Sequence, residues 1–147
     1  MVDTKALLQR HAGQRVYFDT NIFIYLLGNS PRYSATCLVL LQACADRKLL
    51  GLTGDVTLAE LLVKPLQNND AAEVAAVREL LIEDGAISLV SHNRKAFERA
   101  AELRAKHGLK MVDALQLATA LETGAQCLVS NDRQFPTLPG ITCVTLD

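Results

Sequence analysis

Residues 15–27, Arg15-Val-Tyr-Phe-Asp-Thr-Asn-Ile-Phe-Ile-Tyr-Leu-Leu27, set a short apolar run directly before an acid and a longer apolar run directly after it. Val16, Tyr17 and Phe18 are strand formers with no polar residue between them. Arg15–Asp19 therefore reads as a short strand buried on both faces. Thr20 to Leu27 reads as a helix closed by Gly28. Asp19 stands at the junction, where Asp is a good N-cap for a following helix. The same position is also the carboxyl end of a buried strand, where α/β sheets carry their working residues.

The rest of the chain repeats the alternation. Upstream, Leu7, Leu8 and His11 suggest a short helix ended by Gly13. Downstream, Pro31 opens a helical run to about Lys48, with Cys37, Leu38, Leu41, Cys44 and Ala45 at helical spacing. Leu49–Thr53 is a second strand, and Thr57–Val63 a helix stopped by Pro65. Ala71–Ile82 is a helix with its apolar stripe at Val74, Val77, Leu80 and Leu81. Ala86–Val90 is a third strand, and His92–His107 a helix ended by Gly108. Val112–Leu121 is a further helix closed by Gly124. Gln126–Ser130 and Ile141–Leu146 supply the fourth and fifth strands. Strands alternating with helices, and apolar on both faces, predict an α/β fold: one mostly parallel five-stranded sheet covered by helices on both faces.

Composition narrows the class. At 147 residues the chain has the length of one domain, 1–147, in which residues 1–14 form a short N-terminal helical extension. A chain of this size buries roughly 68–70% of its unfolded surface and needs no staples. Half the residues are hydrophobic and 21% charged, which excludes a wholly disordered chain. Fifteen Lys+Arg against sixteen Asp+Glu give a net charge of −1, which argues against coating nucleic acid by bulk charge. Aromatics are 5% with no Trp, a poor stock for stacking single-stranded bases. Cys37, Cys44, Cys127 and Cys143 form no Cys-x-x-Cys pair and read as buried reduced thiols. Residues 1–14 lack the apolar core of a secretory signal, and no apolar stretch approaches the roughly 18 residues of a membrane span. A soluble, cytoplasmic protein is the expectation.

Four acids fall where such a sheet would gather them. Asp19 ends the first strand. Glu60 lies in the first turn of the helix after the second strand. Asp132 follows the fourth strand by two residues. Asp113 lies near the start of the helix that feeds the fourth strand, and that helix runs antiparallel to its strand, so its N-terminus returns to the same edge. Each acid has a local alternative: Asp19 as an N-cap, Thr57 and Glu60 as a capping box, Asp113 as a helix-dipole partner, Asp132 as a turn residue. Together they would repel one another unless a cation or proton intervened. Oxygen donors without His or Cys suit Mg²⁺ or Mn²⁺, a familiar device for phosphodiester hydrolysis.

The four segments resemble, in order and spacing, the four motifs of the PIN-domain nucleases. These are Val16-Tyr-Phe-Asp-Thr-Asn-Ile22, Thr57-Leu-Ala-Glu-Leu-Leu62, Lys110-Met-Val-Asp-Ala-Leu115 with Leu117-Ala-Thr-Ala120, and Leu128-Val-Ser-Asn-Asp-Arg-Gln-Phe135. The resemblance covers about residues 15–146 and is nearest to the VapC-type toxins of toxin–antitoxin pairs. It implies a Mg²⁺-dependent endoribonuclease, with Mn²⁺ as a substitute, whose catalytic and metal-binding acids are Asp19, Glu60, Asp113 and Asp132. Asn21 and Ser130 match supporting positions of the family. Metal-activated water would attack phosphorus in line, leaving a 5′-phosphate and a 3′-hydroxyl. RNA, a cognate antitoxin and a second copy in a homodimer are the implied partners, with no role for a membrane. Two departures stand out: Gln134 replaces a further acid of many relatives, and the first strand begins later than usual.

Other features carry less. Lys110 and Arg133 flank the acids and are candidates for contact with substrate phosphate. Residues 92–110 hold Arg94, Lys95, Arg99, Arg104, Lys106 and Lys110 against Glu98 and Glu102, either an RNA-steering patch or a solvated face paired at helical spacing. His11, His92 and His107 show no ligand or nucleophile pattern and read as surface or capping residues. The apolar helices of residues 21–27 and 36–45 offer a partner surface wherever packing leaves them exposed. The alternatives are a non-catalytic RNA- or protein-binding domain of the same fold, and a solitary RNA-processing or DNA-directed nuclease of the same superfamily. A haloacid-dehalogenase-type phosphatase would want Asp where Asn21 stands.

Overall fold

The structure, a computed structural model, describes residues 1–147. In chain order the elements are α1 (Thr4–Arg10), β1 (Arg15–Phe18), α2 (Thr20–Leu27), α3 (Ser34–Ala45), β2 (Leu50–Gly54), α4 (Asp55–Gln67), α5 (Ala71–Arg78), β3 (Ile87–Val90), α6 (Arg94–His107), α7 (Met111–Glu122), β4 (Cys127–Val129) and β5 (Thr142–Val144). The five strands form one sheet in the order β3-β2-β1-β4-β5, every pair parallel. The expected α/β architecture is the one observed.

The pleat explains how one sheet organises two cores. Successive strand side chains point to opposite faces. On β1, Val16 and Phe18 enter one apolar cluster and Tyr17 the other. On β4, Cys127 and Val129 take the first face and Leu128 the second. The first face is covered through Leu7 of α1, Ile22 and Phe23 of α2, Leu40 and Cys44 of α3, Leu61 of α4 and Val77 of α5. The second lies under Ala96, Ala100 and Leu103 of α6 and Ala114, Leu117 and Ala118 of α7. Small alanines on α6 and α7 let these two helices approach each other and the sheet closely. The N-terminal extension joins the first face: Leu7 is buried there, and the Val2 amide donates to the Leu146 carbonyl at 2.8 Å. All four cysteines are free; three are buried and Cys143 is half-buried.

Three local expectations are corrected. The third helix begins at Ser34 rather than Pro31, because residues 31–33 are used elsewhere. Arg32 pairs with the Asp147 carboxylate at 2.6 Å, and the Tyr33 hydroxyl donates to the other Asp147 oxygen at 2.6 Å. Pro65 does not stop α4, which starts at Asp55 and runs through the proline to Gln67. A proline removes one backbone bond and costs about 3 kcal/mol in a helix interior. Here its ring is buried, and Asn68, Asn69 and Asp70 bond back to the carbonyls of Lys64, Leu66 and Pro65. Asn69 then ends the helix at φ 50°. Finally, α5 gives way to a π-helical turn over Glu79–Glu83. Three residues of the predicted stripe meet the core, Val77 and Leu81 buried and Leu80 packed beside them, whereas Val74 is half-buried outside that cluster.

The strand order creates the site. From β1 the chain builds outward to β2 and β3, then crosses back to β4 and β5 on the other side of β1. The order reverses between β1 and β4, and ligands of open α/β sheets bind outside the strand ends at such a reversal. At the end of β2, Gly54 allows the closest approach in this region. A Cβ there would lie 2.1 Å from His92 Cε1 and 2.5 Å from the Tyr17 hydroxyl oxygen. Gly54→Ala is expected to lower stability by about 1–3 kcal/mol through overpacking. Chemical denaturation with an unchanged m value measures this.

Candidate active site

Asp19 is held at the end of β1 by its neighbours across the reversal. Its amide donates to the Val129 carbonyl at 3.0 Å, which pins the residue to the end of β4. One carboxylate oxygen accepts the Thr20 amide at 2.8 Å, and the other accepts the Ser130 hydroxyl at 2.7 Å. Asp19 thus both caps α2 and stands at the sheet edge; the two sequence readings describe one side chain. It is only 6% exposed. Burial pushes its carboxyl above the usual range, the Ser130 and Thr20 bonds pull it back, and nearby Glu60 and Asp132 push it up again.

Ser130 organises the β4 side. Its hydroxyl oxygen receives the Asp132 amide at 3.0 Å and the Asn21 side-chain amide at 3.3 Å. Asn21 also accepts from the Asn131 amide at 3.4 Å. Asp132 is therefore presented by a turn, and its carboxylate accepts the Gln134 amide at 2.9 Å. Beside it lies a cleft of about 380 Å³, lined by Arg133, Phe135, Thr142 and Thr145 among others. Arg133 is exposed there, and Lys110 is exposed at the N-cap of α7.

Asp113 lies in the first turn of α7, where the expectation put it. Its carboxyl is raised to about 6, first by partial burial, then by the charges of Asp19 and Asp132; Lys110 opposes the shift and Glu60 adds to it. Asp113 therefore feels the charges of the other three acids nominated from the sequence. Glu60 lies in the second turn of α4, not the first, because the helix begins at Asp55. No capping box forms, since the N-cap is Gly54. Glu60 instead accepts the Thr20 hydroxyl at 2.6 Å.

The side chain absent from the sequence-based expectations is Gln116. It is fully buried on α7, and its amide nitrogen lies 3.0 Å from both Thr20 Oγ1 and Thr57 Oγ1 and 3.5 Å from Asp19. The Tyr17 hydroxyl donates to its amide oxygen. Its signal was a lone polar residue inside the apolar run Ala114-Leu-Gln-Leu-Ala118. Fully buried polar side chains need partners, so such a residue announces a network.

Features outside the cluster behave as structure. His92 accepts the Val56 amide at 3.1 Å in the first turn of α4 and meets Thr119 at 2.6 Å, a capping role. Desolvation keeps its pKa below the ordinary value. His11 is buried against Gln14. On α6 the pairing of Glu98 and Glu102 with basic neighbours does not form; Arg99 instead reaches Glu122 on α7 at 3.0 Å.

The donor set fits a hard divalent cation. The candidate donors are oxygen alone, from four carboxylates with Asn21 and Ser130, and the upward shift of Asp113, due first to burial, contains a contribution from neighbouring charges that a cation would offset. As the side chains stand, no three His, Cys, Asp or Glu residues are gathered tightly enough to hold an ion between them.

An all-parallel sheet with an acidic edge at its chain reversal defines an α/β domain with a carboxylate-lined site. The PIN-domain family model matches residues 16–141, and the chain belongs to that family. No curated protein sequence matches it significantly. Among solved structures it is similar to VapBC2 from Rickettsia felis bound to a promoter DNA fragment (TM-score 0.68, 18% identity, 90% of this chain and 99% of that chain). It is also similar to a toxin–antitoxin complex from Klebsiella pneumoniae (0.64, 22%, 86% and 95%). A third is Mycobacterium tuberculosis VapC20, a sarcin-ricin loop cleaving toxin (0.62, 16%, 77% and 86%). At these identities the likeness is one of fold.

The Asp113 shift has a stability consequence. A carboxyl whose folded pKa lies above its unfolded value binds more protons folded than unfolded, so ionising it costs stability as pH rises from about 4 to 6. Without added metal, Asp113→Asn should raise stability at pH 8 by about 1 kcal/mol after solvent screening. The gain should vanish below pH 4, where the carboxyl is neutral in both states. Denaturant melts of both proteins at the two pH values provide the comparison.

Proposed function

We propose that this protein is a Mg²⁺-dependent endoribonuclease, with Mn²⁺ as a substitute, and the toxin of a type II toxin–antitoxin pair. The observation that carries the reading is a PIN fold in which Asp19 ends β1, Asp113 lies in the first turn of α7, Ser130 bonds both Asp19 and the Asp132 amide, and Glu60 bonds the neighbouring Thr20. The Asp113 carboxyl, raised first by burial and then by the charges of Asp19 and Asp132, is in keeping with this reading. The toxin–antitoxin structures of the same fold support the assignment. Residues 1–147 form one functional domain in this reading, with residues 1–14 as an extension of it.

Asp19, Glu60, Asp113 and Asp132 would hold the cation. When bound, such an ion polarises phosphoryl oxygens and makes water nucleophilic near neutral pH. The chain's own contribution is positioning. Ser130 and the Thr20 amide fix the two oxygens of Asp19. Asn21 fixes Ser130 and the Asn131 amide, and so the turn that presents Asp132. Lys110 and Arg133, exposed and flanking Asp113 and Asp132 in the sequence, would draw RNA phosphates toward a site that otherwise repels them.

The partner reading rests on exposed apolar side chains. Ile24 on α2 and Val63 on α4 are more than half exposed, as is Leu38 on α3, with Val39 next to it. These faces suit a cognate antitoxin and a second copy in a homodimer. No helix is long and apolar enough to cross a membrane, and we place the activity in the cytoplasm.

The direct test is cleavage of a mixed single-stranded and structured RNA pool with Mg²⁺, with Mn²⁺ and with EDTA. Wild type should cleave only with metal. Asp19→Asn and Asp113→Asn should each lose about 100-fold or more, the scale expected when a preorganised charge-stabilising group is removed. Equal cleavage by all three proteins would sink the assignment.

A further inference from the structure

The buried amide of Gln116 has four polar neighbours, and proton accounting leaves it one orientation. Tyr17 is fully buried, and its hydroxyl meets one end of the amide. Thr20 and Thr57 meet the other end, each at 3.0 Å. Each threonine has one hydroxyl proton. The Thr53 proton goes to the Phe18 carbonyl at 2.8 Å, so Thr53 can only accept from Thr57, also at 2.8 Å. That consumes the Thr57 proton. Thr20 also lies 3.2 Å from the Thr57 hydroxyl, but its proton goes to the shorter and charge-assisted bond, to Glu60 at 2.6 Å. Both hydroxyls facing Gln116 have therefore spent their protons and need a donor, which is the amide nitrogen. The amide oxygen is left to accept from Tyr17.

Reversing the amide breaks this order. An oxygen between Thr20 and Thr57 would demand both of their protons, and Glu60 would lose its donor. The side-chain orientation of Gln116 thus decides whether Thr20 points its proton at Glu60. Thr20 follows Asp19 directly in the chain, so the bond ties Glu60 on α4 to the end of β1. Gln116 is also 3.5 Å from the Asp19 carboxylate, one turn along α7 from Asp113.

We infer that Gln116 is a positioning residue: held by Tyr17, it orients the Thr20 hydroxyl so that Glu60 on α4 is drawn toward Asp19. The inference concerns the arrangement of the acids, and its consequence for catalysis rests on the nuclease reading above. Gln116 acts through Thr20, and its own atoms are sealed from solvent.

The test is a double-mutant cycle read on Glu60 itself, in protein without metal. With carboxyl-¹³C glutamate incorporated, the Glu60 resonance is assigned by its disappearance in Glu60→Gln. Thr20→Val and Gln116→Leu should each displace it in the same direction and by the same amount, and the double variant should move it no further. Gln116→Leu leaving the resonance in place while Thr20→Val moves it would overturn the inference. So would displacements that add in the double variant, or a Thr20→Val protein with an unmoved resonance. Should Gln116→Leu fail to fold because Tyr17 is orphaned, the pair Tyr17→Phe with Gln116→Met removes both polar partners together and takes its place in the cycle. Calorimetric titration with Mn²⁺ then separates the two readings. Gln116→Leu should bind about tenfold more weakly than wild type, in the range seen for outer partners of ligands. In the Glu60→Gln background it should make less than about a twofold difference. A wild type that binds no Mn²⁺ would defeat the metal-dependent nuclease, while the resonance cycle would still decide whether Gln116 positions Glu60.

Discussion

A carboxylate buried at the end of a central strand is costly unless every lone pair finds a donor, and Asp19 is such a carboxylate. The surrounding structure follows from meeting that demand. Ser130 and the Thr20 amide supply donors to its two oxygens, Asn21 and the Asp132 amide fix Ser130, and the Asp19 amide anchors the cluster to β4. Donors lower the cost of one charge but do nothing for the repulsion among four. The raised carboxyl of Asp113 reflects its burial first and then the charges of Asp19 and Asp132, and that second part is what a bound cation would offset.

The polar network beneath the acids lies between two apolar clusters without disturbing either. Tyr17 belongs by its ring to the core under α6 and α7, while its hydroxyl reaches back to Gln116. Burial raises the phenol pKa well above its ordinary value, so Tyr17 remains a donor at any physiological pH. Thr53, Thr57 and Thr20 continue the chain of hydroxyls toward Glu60, and no buried side-chain polar atom lacks a partner. A fully satisfied buried network is rigid, because any rotation within it exposes an unpaired group to a low-dielectric surround. The site is therefore rigid at Asp19 and exposed at Glu60.

Much of this was legible along the chain because local chemistry is short-ranged. Val16-Tyr-Phe18 reads as a buried strand from β propensity and the lack of polar residues. The helix of residues 20–27 reads from its apolar content and Gly28. The acids could be nominated because a strand end and a helix start are both local features. Pro65 misled because its cost of a few kcal/mol is a local quantity, whereas the burial that outweighs it belongs to the fold. Pro31 misled for a similar reason: Arg32 and Tyr33 serve Asp147, more than a hundred residues away. Gln116 was passed over because a single polar residue on an apolar helix has no meaning until its partners are known.

Residue order alone established the alternation of strands and helices, the parallel sheet, and an acidic edge, since each follows from periodicity, from the lengths of the connections and from which end of a strand an acid occupies. It left open the strand order, which puts β4 beside β1 and so brings Ser130 and Asp132 to Asp19. It also left open the orientation of the Gln116 amide, which depends on four hydroxyls drawn from β1, β2, α2 and α4. Hydrogen-bond direction is set by which donors remain unspent when distant segments meet, and that accounting exists only once the chain is folded.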